Sequence, residues 1–197
     1  RADMIWLWGQ GRAPSLPSFE QAFGLKIAVI SAVAIVRGIA RCGGMEVVEV
    51  PGATGTYDTN YRGKGEAALE ALDRADLVVV HVEAPDDAAH HGDLARKIDV
   101  IEKIDREIVG PVLAGLRKLP AWRLMVLPDH YTPLPKKTHT PEPVPFAVCG
   151  TGVVSSRNVP FTEVSGNASD LKIEEGHLLR EYFLKGSAFP SSEGRKK

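Results

Sequence analysis

The 197-residue sequence carries 24 Lys and Arg side chains against 25 Asp and Glu side chains, a formal net charge of −1. This balance excludes a protein that attracts nucleic acid or an anionic membrane through its overall field, so any ligand is selected locally. The apolar runs, such as residues 77–80, are far shorter than the roughly 20 residues that cross a bilayer, so the sequence predicts a soluble protein.

The two cysteines, Cys42 and Cys149, are too few for a disulfide framework and do not form a Cys-x-x-Cys pair. We expect both to be small, buried apolar residues. Any reactive site is therefore expected among other side chains.

Short runs rich in β-branched residues alternate with helical stretches along the chain, which predicts an α/β sheet covered by helices. Most of these runs are continuously apolar, as expected when both faces of a sheet are covered. The clearest helix is predicted for residues 93–118, with Asp93 as its N-cap and Pro111 kinking it rather than ending it. The predicted strands are residues 26–31, 46–50, 76–82, 123–127 and 145–150.

Three segments follow from these patterns. Residues 1–24 mix an aromatic piece with a Gly/Pro/Ser loop and are predicted to be a connection that enters a domain. Residues 25–185 hold all the predicted strands and form the predicted core domain. Residues 186–197 lose all periodicity and are expected to form a flexible tail.

Acidic side chains and histidines gather where predicted strands end. Asp86 and His90 follow the third predicted strand, and Asp129 and His130 follow the fourth. His139 lies just before the fifth strand and has to fold back from its loop to join them. Ligands of open α/β sheets bind beyond the carboxyl ends of the strands, so one shared site is expected there.

Carboxylate and imidazole together suit borderline divalent ions such as Mn²⁺ or Zn²⁺. Asp86 and His90 are four residues apart, so one helical turn brings them to the same side. Asp87 and His91 have the same spacing, and spacing alone does not choose between the two pairs. Taken singly, each polar group also fits a helix cap, a turn or an ordinary loop. Their common position favours a metal site, and two metal ions facing one substrate oxygen suit phosphoryl transfer.

Three motifs resemble, in order, the metal motifs of the alkaline phosphatase superfamily. Residues 30–69 look more closely like the archaeal-type cofactor-independent phosphoglycerate mutases, a group with bacterial members too. The resemblance covers residues 6–184. The motifs are Pro85-Asp86-x-x-x-His90-x-Gly92, Pro128-Asp129-His130 and His139-Thr140-x-x-Pro143-Val144-Pro145.

The resemblance implies an alkaline-phosphatase-like central sheet flanked by helices, of which this chain is the C-terminal part of the metal-binding core domain. It also implies a cytoplasmic isomerase that interconverts 3-phosphoglycerate and 2-phosphoglycerate in glycolysis and gluconeogenesis. Such enzymes work through a phosphoserine intermediate and need no 2,3-bisphosphoglycerate.

The same resemblance implies two divalent metal ions, usually Mn²⁺, with Mg²⁺, Co²⁺ or Zn²⁺ as alternatives. Asp86, His90 and His139 would hold one ion, which chooses the first of the two Asp/His pairs. Asp129 and His130 would help to hold the second ion. Metal coordination is needed because a serine hydroxyl is a weak nucleophile at neutral pH until its pKa is lowered.

The sequence departs from the family in its length. Family members run to roughly twice this length, and their first half carries the nucleophilic serine, an aspartate ligand of the second metal and a cap domain. No serine of this chain has the nucleophile's sequence context. We therefore expect the C-terminal half of such an enzyme, beginning where the chain leaves the cap and partnered by the N-terminal half of the same protein. Assembly into a homo-oligomer stays open.

The positions that would bind the substrate phosphate or carboxylate carry weaker signals. The glycine-rich residues 52–65 lack the Lys-Ser/Thr ending of a P-loop and fit either a plain strand-to-helix connection or a site at which Arg62 or Lys64 binds the substrate. Arg12 is a further candidate, facing the substrate as the cap closes. His81 is expected to be structural. The alternative functions are another phosphatase or phosphomutase of the superfamily, or an inactive fragment.

Overall fold

A computed structural model describes residues 11–12, 14–154 and 158–185. Its centre is a parallel sheet of three strands in the order β2-β1-β3, each joined to the next along the chain by a segment that contains a helix. The strands are β1 (Ile27–Ile30), β2 (Glu46–Val47), β3 (Leu77–Val80), β4 (Arg123–Val126) and β5 (Ala147–Gly150). The helices are α1 (Phe19–Phe23), α2 (Ala34–Cys42), α3 (Tyr61–Ala71), α4 (Ala84–His91), α5 (Leu94–Ile104), α6 (Gly110–Leu116), α7 (Glu163–Asn167) and α8 (Leu179–Lys185), with a π-helical segment at Asp105–Val109 and a 3₁₀ turn at Gly176–Leu178.

The core lies between the central strand β1 and the helices α3, α5 and α6. All four residues of β1 are buried, as expected for an apolar strand in the middle of a covered sheet. Ala28 on β1 and Ala71 on α3 are fully buried in one cluster, and such small side chains let the helix approach the sheet closely. On the other side of α3, Gly65 allows a close approach to the π-helical segment, because a Cβ there would lie 2.9 Å from the carbonyl oxygen of Glu107.

The long helix predicted for residues 93–118 exists from Leu94 to Leu116, with a π-helical segment in its middle. Asp93 is its N-cap and accepts the backbone N–H of Arg96 at 3.0 Å. Pro111 falls in the first turn of α6, directly after the π segment, where Gly110 donates its N–H to the carbonyl of Asp105. A proline ring collides with the carbonyl four residues earlier in a regular α-helix, and the wider π turn relieves that collision without ending the helix.

The sheets differ from the expected single sheet in two respects. The predicted strand at 46–50 is paired over only two residues, although the N–H of Val48 still donates to the carbonyl of Val29. The last two strands, β4 and β5, pair with each other in antiparallel orientation, as a separate two-stranded sheet. The connection between β4 and β5 therefore leaves and returns at the same end of this sheet, which turns residues 127–146 back on themselves.

The ends of the chain and the cysteines bring further corrections. The segment 1–24 is more than a connection, because it contains α1, whose Phe19 packs on the cluster of Ile27 and Val29. Residues 1–10 and the tail at 186–197 lie outside the described residues. The expectation of buried cysteines was wrong: Cys42 at the end of α2 and Cys149 on β5 are both exposed, since each lies on the solvent side of its element. Within the described ranges, no helix is long and apolar enough to cross a membrane.

Candidate metal centre

Helix α4 presents one Asp/His pair toward the β4–β5 connection. Pro85 occupies the first turn, where its missing N–H is harmless, and Gly92 ends the helix in the left-handed conformation at φ 72°. Between them, Asp86 and His90 lie one turn apart on the same face, with Oδ2 of Asp86 3.2 Å from Nε2 of His90.

The second pair on α4 points elsewhere. His91 has a side chain that is 73% exposed, and its Nδ1 lies 3.6 Å from Oδ1 of Asp87. The same nitrogen donates to the backbone carbonyl of Asp87 at 2.8 Å. The fold therefore directs Asp86 and His90 toward the connection and leaves His91 in solvent, a choice that the equal spacing of the two pairs could not make.

Histidines from the connection meet the helix-borne pair. Nε2 of His139 lies 3.1 Å from Nε2 of His90 and 3.4 Å from Oδ1 of Asp86. The ring of His130 stacks on that of His139, with 3.7 Å between the ring centroids. Asp86, His130 and His139 each offer a ligand atom within 4.8 Å of the others. Four side chains from two distant parts of the chain thus converge on one small volume.

Asp129 lies at the outer edge of this cluster. Its side chain is 71% exposed, and its Oδ2 is 3.5 Å from Nε2 of His130. Its Oδ1 accepts the backbone N–H of His130 at 3.1 Å, which closes a tight local turn. His130 was expected to belong with Asp129 at a second ion, and it lies between Asp129 and the Asp86/His139 group.

Hydrogen bonds within the β4–β5 connection, and one from helix α4, hold the connection in place. The N–H of Thr140 donates to the carbonyl of Tyr131 at 3.0 Å, pairing the two sides of the loop. Lys137 takes a left-handed conformation at φ 51°, which is costly for a residue with a Cβ. This conformation accompanies a hydrogen bond in which Nδ1–H of His90 donates to the Lys137 carbonyl at 2.8 Å.

The residues fit a bound cation by two tests. A carbonyl oxygen only accepts hydrogen bonds, so His90 carries its proton on Nδ1 and keeps the Nε2 lone pair free for a metal. Two ligand atoms that each lie about 2.1 Å from one ion are about 3.0 Å apart at a right angle and about 3.4 Å apart at the tetrahedral angle. The Nε2 atoms of His90 and His139 are 3.1 Å apart, which meets this test, and Asp86 offers each imidazole a different oxygen, Oδ2 at 3.2 Å from His90 and Oδ1 at 3.4 Å from His139. Mixed imidazole and carboxylate donors favour Mn²⁺ or Zn²⁺ over Ca²⁺, which typically takes a shell of oxygen ligands only.

A sequence profile of the metalloenzyme superfamily matches residues 4–180. The chain belongs to the metalloenzyme superfamily.

Relatives of this chain carry a consistent name. The chain is 52% identical over 186 residues to the 2,3-bisphosphoglycerate-independent phosphoglycerate mutase of Methanothrix thermoacetophila, covering 94% of this chain and 47% of that protein. It is 49% identical over 184 residues to a probable enzyme of the same name from Geobacter sulfurreducens, covering 93% and 46%. The chain thus spans about half the length of the curated relatives it matches. The resemblance seen in the motifs is confirmed.

Solved structures support the fold of this chain. The cofactor-independent phosphoglycerate mutase of Thermoplasma acidophilum matches with a TM-score of 0.66 at 27% identity, over 87% of this chain and 39% of that one. A protein of Pyrococcus horikoshii matches with a TM-score of 0.82 at 30% identity, over 95% of this chain and 56% of that one. The predicted α/β fold is confirmed.

The three candidate substrate residues lie in different environments. Arg62 is exposed on α3 and forms an ion pair with Glu66, with Nε 2.8 Å from Oε1. Lys64, two residues on, is fully buried, and its Nζ has no hydrogen-bond partner among the described residues. Burial lowers the pKa of Lys64, and the nearby carboxylate of Glu83 opposes this shift. Arg12 is exposed. The fold does not bring Arg62 and Lys64 to one point, because they lie on opposite faces of α3.

Two polar residues near the strand ends form a link of their own. Ser31 directly follows β1 and His81 directly follows β3, and Oγ of Ser31 lies 3.1 Å from Nδ1 of His81. Nε2 of His81 lies 3.4 Å from Oε2 of Glu83. These contacts tie two neighbouring strands together at their carboxyl ends, which agrees with the structural role expected of His81.

Sequence reasoning missed Thr132, which is buried with 5% exposure beside the cluster. Its hydroxyl lies 2.5 Å from Oδ1 of Asp86 and 3.2 Å from Nδ1 of His130. Lys97 on α5 was also missed, and its Nζ donates to the Thr132 carbonyl at 2.9 Å. The only sequence signal for Thr132 is its position two residues after His130, which is too weak to identify it.

Proposed function

We propose that the protein containing this chain is a cofactor-independent phosphoglycerate mutase that interconverts 3-phosphoglycerate and 2-phosphoglycerate. The observation that carries the proposal is the convergence of Asp86, His90 and His139 on one small volume with distances suited to a shared cation. The names of relatives that match more than nine-tenths of this chain support it. In this proposal the chain supplies the C-terminal part of the metal-binding core, and the N-terminal half of the same protein supplies the nucleophilic serine and the cap.

The ligand assignment has two parts. Asp86, His90 and His139 hold one divalent ion, and Asp129 and His130 contribute to a second, with Mn²⁺ as the expected metal at both. Bound there, the ions lower the pKa of a serine hydroxyl and withdraw charge from the phosphoryl oxygens. The chain's own part is to keep imidazole lone pairs directed inward, as the Lys137 carbonyl does for His90.

Substrate binding is assigned to the cationic side chains. Lys64 is the strongest candidate, because a buried ammonium without a hydrogen-bond partner in the described part of the chain gains most from an anionic ligand. Arg62 and Arg12 are exposed and would act only when the cap closes over them. The substrate is a small phosphorylated acid. A role of the enzyme in glycolysis would place it in the cytoplasm.

The proposal is tested on the full-length protein with 3-phosphoglycerate as substrate and no added 2,3-bisphosphoglycerate. We expect 2-phosphoglycerate to form, the activity to vanish in EDTA and to return with Mn²⁺. His90→Ala should abolish it, and His91→Ala is the matched control because that neighbouring side chain points into solvent. Activity that survives both EDTA and His90→Ala would refute the proposal. Release of inorganic phosphate without 2-phosphoglycerate would instead identify a phosphatase of the superfamily.

A further inference from the structure

Thr132 lies between two of the candidate ligands and touches both. Its hydroxyl oxygen is 2.5 Å from Oδ1 of Asp86 and 3.2 Å from Nδ1 of His130. Its side chain is buried, so water does not compete for these contacts. The hydroxyl therefore bridges a carboxylate on α4 and an imidazole on the β4–β5 connection.

The chemistry of the three groups fixes the direction of both hydrogen bonds. A carboxylate only accepts, so the single hydroxyl proton goes to Asp86, and the short distance fits a charge-assisted bond. The hydroxyl lone pair then accepts from His130, which requires the proton of that ring to be on Nδ1. Nε2 of His130, which lies 3.5 Å from Oδ2 of Asp129, then carries a lone pair for a cation, as Nε2 of His90 does through its bond to the Lys137 carbonyl.

We propose that Thr132 is a positioning residue of the metal centre, whose hydroxyl selects the metal-binding tautomer of His130 and orients the carboxylate of Asp86. The proposal rests on the proposed function, because it takes both residues as cation ligands. Since one hydroxyl serves a ligand of each ion, its removal should weaken the binding of both ions together.

The backbone of Thr132 is held independently of any ligand. Nζ of Lys97 donates to the Thr132 carbonyl at 2.9 Å, and the neighbouring carbonyl of Tyr131 accepts the N–H of Thr140 at 3.0 Å. The hydroxyl is thus presented from a fixed point, which is the condition for it to impose an orientation on its two partners.

The test compares Thr132→Val, which keeps the shape and removes the hydroxyl, with Thr132→Ser, which keeps the hydroxyl. Mn²⁺ affinity is measured on the full-length protein by calorimetry and by the electron paramagnetic resonance signal of free Mn²⁺. We expect Thr132→Val to bind Mn²⁺ about 10- to 100-fold more weakly, the range found for lost partners of metal ligands, and Thr132→Ser to stay close to wild type. NMR of isotope-labelled histidine in the metal-free protein should show that Thr132→Val moves the proton of His130 from Nδ1 toward Nε2.

Thr59→Val is the matched control. Thr59 is equally buried, at 6% exposure, and its hydroxyl accepts the N–H of Thr54 at 2.9 Å, in a loop that carries no candidate metal ligand. It should lower stability while leaving Mn²⁺ affinity and the His130 tautomer unchanged.

The outcomes separate this proposal from the one on which it rests. If Thr132→Val binds Mn²⁺ as tightly as wild type, or if Thr132→Ser is as weak as Thr132→Val, the hydroxyl has no positioning role, although the metal centre stands. If the wild-type protein binds no Mn²⁺, the proposed metal centre falls, and the role of Thr132 falls with it.

Discussion

The candidate metal centre is assembled from a helix and from a loop, and the two are held in different ways. Asp86 and His90 lie on α4, whose own hydrogen bonds and Gly92 cap fix their spacing. His130 and His139 lie on the β4–β5 connection, whose own backbone hydrogen bonds are isolated ones, such as that from Thr140 to Tyr131. The loop also depends on contacts from elsewhere, such as those from Lys97 and His90. The helix-borne half is therefore positioned locally, and the loop-borne half by tertiary structure.

Among the substitutions that test this difference between helix and loop, we expect the largest effect at Gly92, where α4 meets the β4–β5 connection. Its φ of 72° costs an L-residue about 1–2 kcal/mol. A Cβ there would also lie 2.7 Å from Cε of Lys137, so the flexible end of this side chain must move away, and any effect on the metal centre must come through the backbone of Lys137, whose carbonyl holds His90. We expect Gly92→Ala in the full-length protein to lose that stability in denaturant unfolding and to bind Mn²⁺ about tenfold more weakly in calorimetry.

Gly24→Ala is the matched control for this change. Gly24 ends α1 with a nearly equal φ of 67°, and a Cβ there meets nothing within 4 Å. Gly24→Ala should lower the free energy of unfolding by a similar amount and leave the Mn²⁺ affinity unchanged. Equal affinities in the two variants would mean that Lys137 does not link the helix to the loop.

The loop-borne half alone is tested at Lys97. Lys97→Met removes the donor to the Thr132 carbonyl while keeping the length of the side chain. We expect a loss of about 1 kcal/mol of stability, because a charged hydrogen bond to a partly buried carbonyl is broken. Mn²⁺ affinity should fall by less than in Gly92→Ala, because His90 and its carbonyl partner are untouched.

Lys103→Met serves as the control on the same helix. Nζ of Lys103 lies 2.8 Å from Oδ2 of Asp99 in a surface pair of the kind worth about 0.3–0.5 kcal/mol. Calorimetry should find its Mn²⁺ affinity unchanged. A loss of affinity as large as that of Lys97→Met would show that the anchor of the loop lies elsewhere.

The difference between helix and loop also explains what the sequence could predict. The spacing of Asp86 and His90 is a local property, and their place at a strand end located the site. The choice between this pair and Asp87/His91 required either the family resemblance or the fold. The hydrogen bond from the Lys137 carbonyl had no sequence signal, because every residue has a carbonyl and its direction depends on tertiary structure. The antiparallel pairing of β4 with β5 was hidden for the same reason, since apolar β-branched runs do not encode strand direction.

The burial of Lys64 was also not foreseen, and it leads to the smallest expected effect. Burial lowers the folded pKa of Lys64 below its ordinary value of 10.5, whereas the unfolded chain keeps that ordinary value. Between the two values the unfolded state binds more protons, so the free energy of unfolding rises with pH in that window. Tyr61 acts in the opposite direction only above pH 10, because its folded pKa is raised to about 12, chiefly by burial. Within that window and below pH 10, denaturant unfolding should therefore show a positive pH dependence that Lys64→Met removes and Lys118→Met, at an exposed lysine, retains. The depressed pKa values of Asp58 and Glu142 add a positive dependence only at acid pH, which both variants keep.

Substrate turns this pH dependence into a test of the role proposed for Lys64. A bound phosphate or carboxylate next to Nζ stabilises the charged form and raises the folded pKa. The pH range between the folded and unfolded pKa values of Lys64 then narrows. Saturating 3-phosphoglycerate should therefore flatten the pH dependence of the wild-type free energy of unfolding toward that of Lys64→Met. If the dependence persists at saturation, the folded pKa of Lys64 stays depressed, and no anionic group of the substrate lies against its Nζ. Substrate binding would then be left to exposed residues such as Arg62.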